Sequence, residues 1–301
     1  MPGQPEVIAL TSGGDRLVAH WYVPDGDTPA TGWPAVLVVH GAIDYKEHFA
    51  DLAHALTRQG LAVLVPDMRG HGESGGRRYH VRIREWVEDV AAALDWLSAR
   101  PDINADRIGA FGFSSGGTAV LEAAAAGLPL RTLVTLDATV RSVLNWLETP
   151  AFAIGAWFGR LKERLTGKPF HVSLEWALES VPAAVDEQVR RQIADDPYVR
   201  AGYRRFPVPG ALEALKVDTL RRVHLVRCPV LILHGEQDQV DPPASARALH
   251  DALTCERELV LIPGSGHVGH LDQARDQIRQ LTCQWFRNRL SDNQVPVANQ
   301  V

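Results

Sequence analysis

The chain has 301 residues and a mass of 33.0 kDa, enough for one large or two medium domains. Its 46% hydrophobic and 22% charged residues are those of a folded globular protein and exclude disorder over most of its length. The 31 Lys and Arg against 36 Asp and Glu leave a formal net charge of −5, which gives no electrostatic footprint for nucleic acid, and the longest apolar runs (150–159 is one) reach about ten residues, so no membrane-spanning segment is expected.

The opening MPGQPEVIAL lacks a basic stretch followed by an apolar one, so no secretory signal is expected. Residues 6–11 and 16–23 read as strands joined by the turn signal Ser12-Gly13-Gly14-Asp15. Short apolar runs follow at 35–39, 61–65, 107–113, 132–136, 230–233 and 259–262. Most are rich in Val, Leu and Ile without alternation, as strands covered on both faces are. Amphipathic helices lie between them. Phe49, Leu52, Ala53 and Leu56 share one helical face; so do Ile83, Trp86, Val87, Val90, Leu94 and Leu97, and later Leu271, Ala274, Ile278, Leu281 and Trp285. This alternation specifies an α/β fold: eight strands in a mostly parallel sheet, right-handed crossovers and helices on both faces.

Residues 141–226 break the pattern and read as a helical cap inserted over one end of the sheet, leaving 1–140 and 227–290 as the body. Nine of the aromatic residues fall between Trp146 and Phe206, where they either line a pocket or pack the cap onto the body. Residues 291–301 are polar without periodicity and read as a flexible tail. Cys228, Cys255 and Cys283 are an odd number without metal-ligand spacing and read as reduced thiols in a cytoplasmic protein.

The strongest local signal is Gly112-Phe113-Ser114-Ser115-Gly116-Gly117, which follows one predicted strand and opens an Ala-rich helix. A serine on so sharp a turn needs tiny flanking residues, and Gly112 and Gly116 provide them. The turn lifts the Ser114 hydroxyl above the carboxyl end of the sheet, at a helix N-terminus that favours developing negative charge. A serine is a weak nucleophile, so it needs a base, and the base needs an orienting acid. Asp238 follows the strand 230–233, and His267 follows 259–262 through Pro263-Gly264-Ser265-Gly266. Three residues in the order Ser, Asp, His, each past a strand end, are far more specific than any one motif. The Ser115 N–H and the Ala42 N–H, the latter beside Gly41 after the strand 35–39, are the candidate oxyanion-hole donors.

At this point the sequence resembles α/β-hydrolase-fold serine hydrolases of the monoacylglycerol lipase and lysophospholipase-like branch. The matching pieces are His40-Gly41-Ala42, the run Pro66 to Ser74 (PDMRGHGES), the elbow at Ser114, Cys228 to Gly235 (CPVLILHG), Asp238 and Gly264 to His267. They cover the body, roughly 6–138 and 226–290, and not the cap, where such proteins set substrate choice. Ser115 stands where lipases and esterases usually carry Met or Gln, which keeps the backbone donor and changes the pocket wall.

Rivals exist for each role. Asp137, after the strand 132–136, is the second-ranked acid and Asp241 the third, since Asp241 precedes Pro242-Pro243 and suits a turn or an N-cap. His270 rivals His267, while His40, His71 and His234 read as loop-ordering or backbone-bonded groups. No metal is expected, because no ligand set has metal spacing, and no cofactor, because 112–117 has neither the Lys of a phosphate loop nor the spacing of a dinucleotide fingerprint. The pairs Arg77-Arg78, Arg190-Arg191, Arg204-Arg205 and Arg221-Arg222 read as solvated faces, with contact to a substrate headgroup or carboxylate as the alternative.

The expected activity is hydrolysis of a small-molecule ester through an acyl-enzyme, with an apolar or mid-length acyl group, an aromatic ester or a lactone as substrate. The same triad also suits C–C bond hydrolysis of a diketone, acyl transfer or thioester cleavage, and a slow small-ligand receptor. Haloalkane and epoxide chemistry is disfavoured, because those branches carry Asp where this chain has Ser114. A homo-oligomer is compatible with the sequence, although no feature selects one.

Overall fold

The computed structural model describes residues 4–291 apart from 143, 145 and 147. Eight strands form one sheet: β1 (Glu6–Ser12), β2 (Asp15–Tyr22), β3 (Trp33–Val39), β4 (Ala62–Pro66), β5 (Ile103–Phe113), β6 (Leu133–Leu136), β7 (Val230–Gly235) and β8 (Arg257–Ile262). Their spatial order is β1-β2-β4-β3-β5-β6-β7-β8. The pairs β1–β2 and β2–β4 are antiparallel and every other pair is parallel. The sheet therefore has the architecture expected from the sequence.

Side-chain alternation explains why the central strands read as unbroken apolar runs. In β3, Ala35, Leu37 and Val39 enter the core on one face, and Val36 and Val38 enter the core on the other. The first core packs against α2 (Ile83–Ser98), α3 (Ser115–Ala125) and α9 (Ala244–Ala252). The second packs against α1 (Ala50–Thr57) and α10 (Arg275–Leu290). A parallel sheet buried on both faces needs this composition.

Several boundaries shift from the sequence pattern, and two of the shifts have a clear cause. β5 starts at Ile103, because Ile103 pairs with Trp33 before a register shift. α10 starts at Arg275 rather than near Leu271, because Asp272 turns away to accept the backbone N–H groups of Val185 and Asp186. Residues 263–274 consequently stay in turns, and that loop carries His267.

Between β6 and β7 lie α4 (Glu148–Thr166), α5 (Glu175–Ser180), α6 (Glu187–Asp195), α7 (Pro197–Arg204) and α8 (Val208–Leu215). Among the described residues, the only strand-like pairing in this segment is the isolated bridges Arg141–Asp218 and Val172–Phe206. Several bonds tie the segment to the sheet's loops. Tyr45 Oη donates to Asp196 Oδ2 (2.7 Å), Gly72 N–H to Tyr198 Oη (2.8 Å), and Val81 and Val268 N–H to the Gly210 and Ala183 carbonyls (3.0 and 3.1 Å). The outward side of α4 exposes Ile154, Trp157, Phe158, Leu161 and Leu165. The expected tail lies outside the described residues except for Ser291. No helix among the described residues is long and apolar enough to cross a membrane, and the three cysteines are unpaired.

Candidate active site

Five strand ends converge on one edge. Ala42 follows β3, Ser114 follows β5, Asp137 follows β6, Asp238 follows β7 and His267 follows β8. Open α/β sheets bind ligands at this carboxyl edge. The chain reverses at Ser114 with φ 51° and ψ −120°, a strained region for a residue with a side chain. Neighbours hold it there, with its N–H on the Leu136 carbonyl (2.9 Å) and its own carbonyl accepting from Thr118 N–H (3.1 Å). The flanking glycines are required by space. A Cβ on Gly112 would come within 2.5 Å of the Gly116 carbonyl, and one on Gly116 within 2.4 Å of the His40 carbonyl.

The structure brings Ser114, His267 and Asp238 into one hydrogen-bonded chain. Ser114 Oγ donates to His267 Nε2 (3.1 Å), and His267 Nδ1–H donates to Asp238 Oδ2 (2.8 Å). Asp238 Oδ1 accepts from the N–H groups of Val240 and Asp241 (2.8 and 2.9 Å), so the carboxylate is fixed from both sides. All three side chains are buried. Burial alone would lower the His267 pKa, but the charge and hydrogen bond of Asp238 outweigh it and raise the imidazole to about 9. Asp238 moves the other way: burial opposes its charge, yet His267 keeps it below the usual carboxylate range.

The rivals take other positions. Asp137 is fully buried and accepts Gly235 N–H at 2.8 Å through Oδ1, while its Oδ2 has no partner among the described residues. Burial and the adjacent Asp238 charge push its pKa well above the usual carboxylate range. Asp241 turns the chain but does not cap α9, whose N-cap is Pro243. His270 stacks on Phe49 at 4.7 Å, has no hydrogen-bond partner among the described residues and is pushed down to about 3 by burial. His40 takes Met68 N–H on Nε2 (2.9 Å) and donates from Nδ1 to the Gly41 carbonyl (2.7 Å), which orders the loop carrying Ala42. His71 and His234 each bond a backbone carbonyl, of Arg69 and Asp241 respectively.

Above this edge lies a cavity of about 340 Å³. Ala42, Phe113, Ser114, Ser115 and His267 form its floor, and α5 to α8 supply most of its walls. Ser115 opens α3, so its N–H belongs to the first turn, where no intrahelical acceptor exists. Among the described residues, four non-glycine residues have positive φ: Ile43, Tyr79, Ser114 and Asp137. Three of them line the cavity and the fourth lies behind the acid, so the backbone strain gathers at this site. Of the nine aromatic rings between Trp146 and Phe206, only Tyr203 and Phe206 line the cavity, whereas Trp146, Trp157, Phe158 and Trp176 point outward. Small residues, among them Ala177, Ala184, Ala194 and Ala211, make the wall instead.

The sequence pattern did not reveal the Asp44–His48 pair in the cavity wall (2.6 Å), although its i, i+4 spacing was a usable signal. Among the described residues, one group could surround a metal ion by distance: Asp137, Asp238 and His267, whose ligand atoms lie within 4.8 Å of one another. In this arrangement His267 already has Asp238 on one nitrogen and Ser114 on the other.

Comparison with known proteins agrees with this geometry. A family model described as serine aminopeptidase, S33, matches residues 33–274. A monoacylglycerol lipase of Mycolicibacterium smegmatis is 27% identical over 257 residues, 85% of this chain and 87% of that one. An uncharacterized 31.7 kDa protein of Escherichia coli is 27% identical over 278 residues, 89% and 94% of the two chains. In shape, the monoacylglycerol lipase of Paleococcus ferrophilus superimposes with a TM-score of 0.72 over 91% of this chain and 99% of that one, at 19% identity. The chain belongs to the serine aminopeptidase S33 family and is an α/β-hydrolase-fold serine hydrolase similar to monoacylglycerol lipases.

Proposed function

We propose that this protein hydrolyses carboxylic esters through an acyl-enzyme on Ser114. The observation that carries this reading is the continuous hydrogen-bond chain Ser114–His267–Asp238 at the floor of a largely aliphatic cavity. His267 takes the Ser114 proton as Oγ attacks the acyl carbonyl. Asp238 holds the imidazole tautomer and stabilises the imidazolium that forms. The Ser115 and Ala42 N–H groups receive the oxyanion, each contributing about a hundred- to a thousand-fold in rate. His267 then returns the proton to the departing alcohol, and water attacks the acyl-enzyme by the same steps reversed. The sequence calls on no metal or cofactor.

Residues 141–226 act in this reading as a cap that sets the acyl-binding space. The aliphatic wall supports an apolar or mid-length acyl group. A cytoplasmic location belongs to the same reading and is supported by three unpaired cysteines. The test is hydrolysis of p-nitrophenyl esters of increasing acyl length beside Ser114→Ala. The expected result is a chain-length optimum in the parent, with turnover about a million-fold lower in the variant. Turnover that persists in Ser114→Ala would overturn the assignment.

A further inference from the structure

The arginine pairs noted in the sequence do not behave alike. Arg77 pairs with Glu163, Arg191 with Glu187, Arg204 with Glu175, Arg221 with Asp218 and Arg222 with Glu122. Arg78 donates to the backbone carbonyls of Gly70, Gly72 and Ser74, and Arg205 is exposed. Arg190 differs from all of them. It is half-buried, it lines the cavity, and no carboxylate among the described residues lies within ion-pair distance of it. Its Nε is shut off from water and has no hydrogen-bond partner among the described residues.

The placement follows from helical spacing. Arg190, Ile193 and Ala194 share the side of α6 that meets the cavity, while Arg191 and Glu187 pair on its exposed side. Arg190 thus stands where an aliphatic residue would complete the wall. The guanidinium reaches the lining with its Nε buried, and an anion seated in its fork would give that N–H an acceptor. The other charged groups on the lining are already matched: Asp44 with His48, and His267 with Asp238. Arg190 interacts at longer range with the exposed Glu187 but pairs with no carboxylate on the lining, an arrangement that suits a monoanion better than a phosphate dianion. Arg geometry suits the two oxygens of a carboxylate.

We infer that Arg190 is a substrate-recognition residue for a carboxylate, so that the preferred ester carries a free carboxylate at a distance from the scissile bond, joined to it by an aliphatic chain. The inference rests on the ester-hydrolase reading and narrows its substrate class to half-esters of dicarboxylic acids or compounds of that shape.

The test compares kcat/KM for monomethyl esters of straight-chain dicarboxylic acids with that for methyl esters of monocarboxylic acids of matched length, in the parent, Arg190→Gln and Arg190→Lys. The parent should favour the anionic series at one chain length. In Arg190→Gln the ratio of anionic to neutral kcat/KM should fall about ten- to a hundred-fold, through KM rather than kcat, and Arg190→Lys should restore part of it. An unchanged ratio in Arg190→Gln overturns the inference. A second measurement separates this outcome from failure of the ester reading: calorimetric binding of the free dicarboxylic acids to Ser114→Ala, with and without Arg190→Gln. Binding that depends on Arg190 while no ester is turned over keeps the anion site and removes the esterase. Turnover of neutral esters without Arg190-dependent binding keeps the esterase and removes the anion site.

Discussion

Two buried carboxyls stand beside His267, and only one can be the working acid. Asp238 holds the imidazole directly at 2.8 Å, while Asp137 faces the Gly235 N–H and has its pKa raised by burial and by Asp238. Asp238→Asn should therefore lower kcat by about ten-thousand-fold, since it removes the charge that holds the tautomer. Asp137→Asn keeps the side chain's shape and an oxygen for the Gly235 N–H, without touching the imidazole, and should stay within about threefold of the parent; a loss as large as that of Asp238→Asn would move the acid role to Asp137. The pH profile follows the same logic. His267 must be neutral to act as base and its pKa is raised, so kcat/KM should fall as pH drops through a midpoint above the ordinary 6.5. Residual activity in Asp238→Asn should show that midpoint moved to lower pH, because the raising charge is gone. At this scale the sequence was highly legible: Ser114, Asp238 and His267 were readable because each follows a strand whose apolar run marks it. The choice between Asp137 and Asp238 was not, since it depends on which carboxyl reaches the imidazole and which reaches Gly235 N–H.

The elements differ in how plainly their sequences announce them. The strands were legible because both faces are buried, which forces unbroken Val, Leu and Ile. The walls of the cavity were not legible, because alanines build them and alanine has no directional signature; the aromatic rings that drew attention mostly face outward. The junction of the proposed cap and the body depends on a few polar groups. Asp196 caps α7 by accepting the Tyr198 and Val199 N–H groups (2.8 Å each) and also accepts the Tyr45 hydroxyl. Nearby, burial works against the Asp44 charge, but His48 prevails and lowers its pKa to about 2. A carboxylate depressed in the fold stabilises it above the unfolded pKa, and that contribution is lost as pH falls from about 4 toward 2. Asp196→Ala should cost about 1–2 kcal/mol in chemical denaturation and raise KM more than it lowers kcat. Unchanged stability would show that this junction does not hold the cap.

For the molecule as a whole, the loop that carries Ala42 rests on a buried ion pair. Lys46 Nζ and Asp67 Oδ2 lie 2.8 Å apart with both side chains fully buried, and Asp67 also accepts the Lys46 and Glu73 N–H groups. The turn that Asp67 begins presents Met68 N–H to His40, which in turn fixes the Gly41 carbonyl beside Ala42. Fold and site are therefore coupled through one network. Lys46→Met leaves Asp67 buried without its cation and should cost about 3–5 kcal/mol, with activity falling alongside. Lys46→Met combined with Asp67→Asn should recover much of that stability; a double variant no better than the single one would show that the charge itself is not what matters. The motif PDMRGHGES was visible in the sequence, but its support of the loop that carries Ala42 depends on the distant Lys46 and His40 and appears only in three dimensions.

In the proposed mechanism, chemistry passes through an acyl group on Ser114. Its most direct test is rapid mixing of the protein with a p-nitrophenyl ester, followed by acid quench, intact-mass analysis and peptide mapping. The expected result is a burst approaching one equivalent of p-nitrophenolate and one acyl adduct, on the peptide holding Ser114, absent in Ser114→Ala. An adduct on another residue, or steady turnover with Ser114 replaced, would contradict it.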